Sequence, residues 1–222
     1  MTPSLRRVGA VGAPVVVVDD FTGDLPAIVD LAAAMAPFPR AQNYYPGLRR
    51  QIARGDAANA YVDAAMRAAA PFIGGAFEAS RFDLIEASFS MVTAAPGELS
   101  PPQRAPHFDS TNPGYLALLH YLTDTAGTAF YRQRTTGIER IDDANAPRFI
   151  ATARAESAAR DGYINESDDQ FEQIGAVEGR ADRLTIYQGS LLHSGIIPAD
   201  MTFSDDPRTG RLTANFFVQL RR

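Results

Sequence analysis

The chain contains no cysteine and no tryptophan, and all 21 of its basic residues are arginine, so it has no lysine either. Without cysteine there can be no disulfide, thiolate nucleophile, iron–sulfur cluster or cysteine-bound zinc. Without lysine there is no phosphate-gripping P-loop lysine and no Schiff base to pyridoxal phosphate or a ketone. Histidine is scarce too, at His107, His120 and His193. Acidic residues outnumber basic ones, 26 to 21, for a net charge of −5, so no basic field draws nucleic acid or anionic lipid. No apolar stretch approaches the roughly 20 residues that span a bilayer. The run Val8–Val18 meets Asp19 and Asp20 without a small-residue cleavage site and reads as a strand over Val15–Val18 rather than a leader. These features predict a cytoplasmic protein that partners neither nucleic acid nor membrane.

With 222 residues and 45% hydrophobic content, the chain is read as one domain, residues 1–222, with helices first and a β-core after them. Residues 1–76 read as an N-terminal strand and helices. Asp24–Met35 is a helix with Asp24 as its cap, Pro26 in the first turn and Pro37 beyond its end. Asp56–Phe72 is a second helix, stopped by Gly74-Gly75. Between them Tyr44-Tyr45-Pro46-Gly47 reads as a turn.

Residues 77–222 carry the β pattern. Strands are expected over Phe82–Val92, Tyr115–Leu122, Thr128–Tyr131, Phe171–Val177, Arg183–Tyr187, Leu191–Ile197 and Arg211–Leu220. An insertion over about 132–170 holds a helix at Asn145–Ala159. Short strands separated by Gly, Pro and Asp turns suggest a sandwich or jelly roll. The class is α+β, mainly β.

The sharpest local feature is Pro106-His107-Phe108-Asp109. On extended backbone, residues two apart share a face, so imidazole and carboxylate converge. His193, in Leu191-Leu192-His193-Ser194-Gly195, offers a second imidazole far downstream. Two imidazoles and one carboxylate on one face leave further positions on a metal ion for reactants, the facial arrangement of non-haem Fe(II) oxygenases. In Arg211–Leu220 alternation puts Arg211, Thr213, Asn215, Phe217 and Gln219 on one face and Leu212, Ala214, Phe216, Val218 and Leu220 on the other. A guanidinium at the head of a polar strand face suits a carboxylate, which it grips with two parallel N–H groups. His120 reads as a structural, packed or hydrogen-bonded residue, and Tyr44 and Tyr45 as aromatics that either cover the pocket or anchor their loop by packing. Arg132 and Arg134 read equally as anion ligands or a solvated rim. Ser190 and Ser194 flank His193 without a nucleophile-elbow motif.

Taken in order, His107-x-Asp109, Tyr121-Leu122, Ala126-Gly127-Thr128-Ala129-Phe130, His193 and Arg211-x-Thr213 resemble the 2-oxoglutarate- and Fe(II)-dependent dioxygenases, in their prolyl-4-hydroxylase-like branch. The resemblance covers about residues 82–220 and is similar to an uncharacterised bacterial group within that superfamily. It implies a double-stranded β-helix, a cupin-like jelly roll with the N-terminal helices packed against it. It further implies Fe(II) held by His107, Asp109 and His193, with 2-oxoglutarate as cosubstrate and O2 as oxidant. Arg211 would pair the far carboxylate of 2-oxoglutarate, with Thr213 and Tyr121 as hydrogen-bond donors. Hydroxylation of substrate with release of succinate and CO2 is the implied outcome. The long connection Pro198–Gly210 leaves Arg208 as an alternative anchor, and the insertion is expected to form a lid or substrate wall. A peptidyl side chain, a free amino acid or a small metabolite all fit as substrate. Two other readings stand beside this one: a cupin-type metal dioxygenase that needs no 2-oxoglutarate, and a β-helix domain that binds without catalysis.

Overall fold

The computed structural model describes residues 1–158 and 160–221. In chain order the elements are β1 (Thr2–Val8), β2 (Ala13–Asp19), α1 (Leu25–Ala34), β3 (Gly47–Gln51), α2 (Asn59–Phe77), β4 (Arg81–Val92), β5 (Tyr115–Tyr121), β6 (Thr125–Gln133), α3 (Ala146–Ser157), β7 (Phe171–Gly179), β8 (Arg183–Gln188), β9 (His193–Gly195) and β10 (Leu212–Arg221). The strands pair antiparallel into a seven-stranded sheet, ordered β1-β2-β8-β5-β10-β4-β3, and a three-stranded sheet, β7-β6-β9. The protein is mainly β with few helices. Among the described residues no helix is long and apolar enough to cross a membrane.

The two faces of the larger sheet have different jobs. On the outer face Val16, Val18, Leu118, Phe89, Ala214 and Phe216 join Ile28 of α1 and Val62, Ala65 and Ile73 of α2 in one apolar cluster. Phe89 lies flat between the rings of Phe38 and Tyr61, at 6.3 and 6.0 Å. Each such fully buried side chain contributes about 1.5–3 kcal/mol. On the inner face Val15, Val17, Ala117 and Tyr187 meet Phe130 and Val177 of the smaller sheet. That face also carries polar side chains: Ser88, Ser90, Thr185, Thr213 and Asn215 are all buried. The period-2 pattern of residues 211–220 therefore separates a helix-packed face from a polar one, as expected.

Several local expectations need correction. The second helix starts at Asn59 and runs through Pro71 and Gly74-Gly75 to Phe77, leaving by a left-handed Glu78 (φ 54°). Gly in a helix costs about 1 kcal/mol, but Ile73 and Phe77 are buried on the sheet, and that burial outweighs the glycines. Asp24 occupies the cap position of α1 without a side-chain cap bond. The Tyr44–Gly47 turn leads straight into β3, which pairs with β4. At Gly47 a Cβ would fall 2.0 Å from the Met91 carbonyl oxygen, so the glycine serves strand approach as well as the turn. The whole of β1 escaped the periodicity because it is an exposed edge strand with no apolar alternation. Only His193–Gly195 of the expected strand Leu191–Ile197 is extended in a ladder. The helix of the insertion spans Ala146–Ser157, and residue 159 lies outside the described residues. Residues 1–76 are no separate layer, since β1, β2 and β3 extend the sheet that also holds β4, β5, β8 and β10.

Candidate metal centre

An antiparallel bridge brings the two distant histidines together. The His107 N–H donates to the His193 carbonyl and the His193 N–H to the His107 carbonyl, each at 2.9 Å. Residues paired in this way present their side chains on one side, and the rings lie 4.3 Å apart. Asp109, two residues on, is fixed by its N–H donating to the Gly189 carbonyl at 2.7 Å. Gly189 has to be small, because a Cβ there would sit 3.0 Å from the Asp109 Cβ and 2.9 Å from the Tyr115 ring. The result is one cluster in which ligand atoms of His107, Asp109 and His193 lie within 4.8 Å of one another. Asp109 Oδ1 is 3.9 Å from His107 Nε2, and Oδ2 is 3.5 Å from His193 Nε2.

The ring orientation is set from behind. His193 Nδ1 lies 2.7 Å from the Leu191 carbonyl oxygen, which accepts only from N–H, so the proton sits on Nδ1 and the Nε2 lone pair faces the cluster. Burial pushes His193 down to about 4. His107 is driven the same way, first by desolvation and then by the neighbouring imidazole. Its side chain keeps 56% of its surface open against 5% for His193, so desolvation acts on it less. Burial pushes Asp109 up to about 6, against the pull of His107 and Arg49. At neutral pH the site thus offers two neutral imidazoles and an ionised carboxylate. A first-row ion holds its ligand atoms at about 2.0–2.2 Å, which spaces them about 3–4 Å from one another. The donor set is that of such an ion, and the Asp109 distances of 3.9 and 3.5 Å to the two imidazoles fall within that spacing.

A second constellation lies beyond Tyr187. This tyrosine packs edge-on against His193 at 4.8 Å, and its hydroxyl is within electrostatic reach of both Asp109 and Arg211. Arg211, at the head of β10, is 7% exposed. Its Nη2 makes one long bond to the Gly127 carbonyl, 3.4 Å, and its buried Nε has no partner. The Tyr45 hydroxyl is buried without a hydrogen bond and faces Arg211 and Thr213. Thr213 Oγ1 makes only a 3.4 Å bond to the Ser90 carbonyl. Tyr121 bonds Thr128 Oγ1 at 2.7 Å. Burial raises Tyr45, Tyr121 and Tyr187 above the usual phenol value although Arg211 pulls the other way, so these hydroxyls remain donors. Buried donors without acceptors are costly, and a carboxylate is the group that satisfies a guanidinium and several hydroxyls at once.

The insertion packs beside the triad segment. Phe149 of α3 packs edge-on against Phe108 at 5.9 Å, between the first two residues of the triad. Tyr163 donates to the Ala94 carbonyl at 2.7 Å, and Asn165 clasps the backbone of Ile197 at 2.7 and 2.9 Å. Arg208 is exposed and ion-paired with Asp30 of α1. Arg132 is occupied by Glu139 and Glu172, and Arg134 by the Asp168 carbonyl. His120 is structural as expected, with Tyr61 at 2.7 Å and Asp182 at 3.0 Å on its two ring nitrogens. Sequence reasoning missed Tyr187, Arg49 and Tyr163 as cavity residues. For Tyr187 a signal existed, because alternation within the expected strand puts it on the same face as Thr185.

The fold is one found among 2-oxoglutarate oxygenases and prolyl hydroxylases. It is similar to HygX from Streptomyces hygroscopicus with nickel and 2-oxoglutarate bound, at 12% identity and TM-score 0.57 over 94% of this chain and 83% of that one. It is similar to the viral collagen prolyl hydroxylase vCPH from Paramecium Bursaria Chlorella virus-1 in its 2OG complex, at 8% identity and TM-score 0.51 over 94% and 96%. The non-heme alpha ketoglutarate dependent epimerase SnoN from nogalamycin biosynthesis matches at 14% identity and TM-score 0.52 over 92% and 78%. The chain itself belongs to DUF6445, a family of unknown function whose model matches residues 1–218. No curated protein sequence matches it.

Proposed function

We propose that this chain is an Fe(II)- and 2-oxoglutarate-dependent oxygenase that hydroxylates its substrate with release of succinate and CO2. The observation that carries this reading is a coincidence on the two sides of Tyr187. Two imidazoles and a carboxylate converge within 4.8 Å, and a buried guanidinium with an unpartnered Nε stands across Tyr187 from them. The strand order supports a double-stranded β-helix: β5, β8 and β10 lie in the larger sheet while β6, β7 and β9 lie in the smaller one, and the His107 segment bridges to β9.

In this reading His107, Asp109 and His193 hold Fe(II). Bound there with 2-oxoglutarate, the ion supplies the redox chemistry that activates O2. The protein's own contribution is positional. The Leu191 carbonyl holds the His193 tautomer, and Gly189 holds Asp109 in place. Arg211 clamps the far carboxylate of 2-oxoglutarate, with Thr213 and the Tyr45 and Tyr121 hydroxyls as flanking donors. Tyr187, the Phe108–Phe149 contact and Tyr163 wall the cavity against bulk water. No side chain need act as general acid or base.

The test is an anaerobic titration with Fe(II) and then 2-oxoglutarate, followed by its weak visible charge-transfer absorption. One ion per chain and a band that needs both components are expected, with succinate formed on admitting O2 and substrate. Arg211→Ala should abolish the band and leave metal binding intact. Iron uptake with turnover independent of 2-oxoglutarate would favour a cupin-type metal dioxygenase. Failure to bind iron would leave a binding module as the better reading.

A further inference from the structure

The inner face of β4 carries polar groups that neither the triad nor the Arg211 pocket uses. Glu86, Ser88 and Ser90 alternate along it, opposite Phe217, Asn215 and Thr213 of β10. Ser88 is fully buried, and its hydroxyl has no hydrogen-bond partner. Glu86 Oε1 is shut away from solvent and equally without a partner. From β3, Arg49 reaches over the same face. Its Nε donates to Ser90 Oγ at 3.2 Å, and its guanidinium lies 4.8 Å above the Tyr45 ring. Its Nη1 stops 3.6 Å from Glu86 Oε1, an ion pair too long for a hydrogen bond. A guanidinium and a carboxylate thus stand side by side without saturating each other. The strand pairing leads from this pair to the metal centre: Phe217, opposite Glu86, stacks on Tyr115 at 5.6 Å, the Tyr115 carbonyl accepts from the Gly189 N–H, and the Gly189 carbonyl holds Asp109, whose carboxylate the Arg49 charge reaches.

We propose that Arg49 and Glu86 are the substrate-recognition pair of this site, and that they bind the zwitterionic head of a free amino acid. Its carboxylate would lie on Arg49, and its ammonium on Glu86 and Ser88. The chemistry of the two ends matches. Guanidinium N–H groups pair with a carboxylate, and an ammonium brings three donors to orphaned oxygen acceptors. An anion alone would leave Glu86 without a donor, and a cation alone would be pressed against Arg49. A residue inside a peptide has no free ammonium beside a free carboxylate, so the pair selects free amino acids over peptidyl side chains. This proposal rests on the oxygenase reading for its reaction but not for its binding chemistry.

The experiment is a calorimetric and thermal-shift panel of the free amino acids, each beside its N-acetyl and its carboxamide derivative. It is run on the full chain with Zn(II) and 2-oxoglutarate present, and again without them. At least one free amino acid should bind, with acetylation and amidation each weakening it at least tenfold. Glu86→Gln should erase the discrimination against the N-acetyl form, and Arg49→Met that against the carboxamide. Both variants should still take up Zn(II), which reports that they fold. A chain that takes up Zn(II) and 2-oxoglutarate but binds no amino acid, or binds the blocked forms equally well, overturns the proposal and spares the oxygenase reading. Amino-acid binding with the expected discrimination but no 2-oxoglutarate uptake does the reverse. Binding of none of them overturns both.

Discussion

His120 and His193 are both buried, at 0% and 4% exposure, and burial holds both below the usual imidazole value. Their surroundings differ in how much is already spoken for. His120 uses both ring nitrogens, one with Tyr61 and one with Asp182. Asp182 in turn accepts from the Thr22 hydroxyl and from the Thr22 and Gly23 N–H groups. That network ties the loop after β2 to α2 and β5, and every polar atom named in it is paired. His193 commits one nitrogen to the Leu191 carbonyl and turns the other toward His107 and Asp109. Saturated polar networks fix a fold, whereas converging lone pairs without protein donors are what a ligand or ion completes.

The largest expected effect breaks the comparison on the inner side. Removing even an outer-shell partner of a metal ligand costs about 10–100-fold in affinity, so His193→Ala should weaken Fe(II) binding by roughly a hundredfold or more. His107→Ala and Asp109→Ala should behave alike. Equilibrium dialysis with atomic absorption reads the loss, and unchanged loading would remove the residue from the ligand set. Global stability should change little at His107, which is largely open.

The mirror experiment is His120→Ala. It leaves Asp182 and Tyr61 without their buried partner, and each buried polar group left unsatisfied costs about 1–3 kcal/mol. Urea unfolding of the metal-free chain should show that loss. Fe(II) affinity, measured where the variant is folded, should stay within about twofold. A variant that kept its stability but lost metal would reverse the assignment of the two sites.

This contrast explains how much was legible beforehand. The His107-x-Asp109 spacing, the isolated His193 and the polar face headed by Arg211 are local patterns, because extended backbone alone puts residues two apart on one side. The alternation over 211–220 was readable because helices cover one face and the cavity lies under the other. Arg49, the Glu86–Ser88 pair and Tyr187 belong to three different strands, and they come onto one face only through the register of β3, β4 and β8. No run along the chain brings them together. The edge strand β1 was invisible for the opposite reason: with residues 2–7 exposed on both faces and no neighbour beyond it, its sequence carries no burial pattern. Gly74-Gly75 misled because propensity is local, while Ile73 and Phe77 are held by the sheet.

A smaller effect separates the two candidate clamps. Lysine keeps the charge of Arg211 but loses the fixed fork of N–H groups. Arg211→Lys should therefore raise the 2-oxoglutarate dissociation constant about tenfold, a change of about 1.4 kcal/mol. Arg208→Ala should leave it unchanged, since that side chain is exposed and spent on Asp30. Calorimetric titration of both variants decides, and the opposite ranking would move the anchor to the Pro198–Gly210 connection.

The smallest effect is a pH slope to which both sites contribute. Below about pH 6.5 the unfolded chain protonates its histidines, while the folded, metal-free chain holds His120, His107 and His193 neutral to lower pH. The unfolded state then binds more protons, so stability falls as pH falls through that window. Asp109 opposes this. Burial raises its folded value to about 6, so between about pH 6 and 4 the folded state takes up a proton that the unfolded carboxylate does not. Three histidines outweigh one carboxylate, and the net slope is a modest loss on acidification. Below about pH 4 Asp182 adds to it, because hydrogen bonds from His120, Thr22 and Gly23 outweigh its burial and hold its carboxyl well below the usual range. Urea midpoints measured in chelator from pH 7.5 to 4.5 should decline. In Asp109→Asn the decline should steepen, because the opposing proton uptake is gone and His107 loses the charge that favoured its protonation. A variant profile no steeper than that of the unaltered chain would mean that the Asp109 carboxyl is not held above its usual range in the folded state.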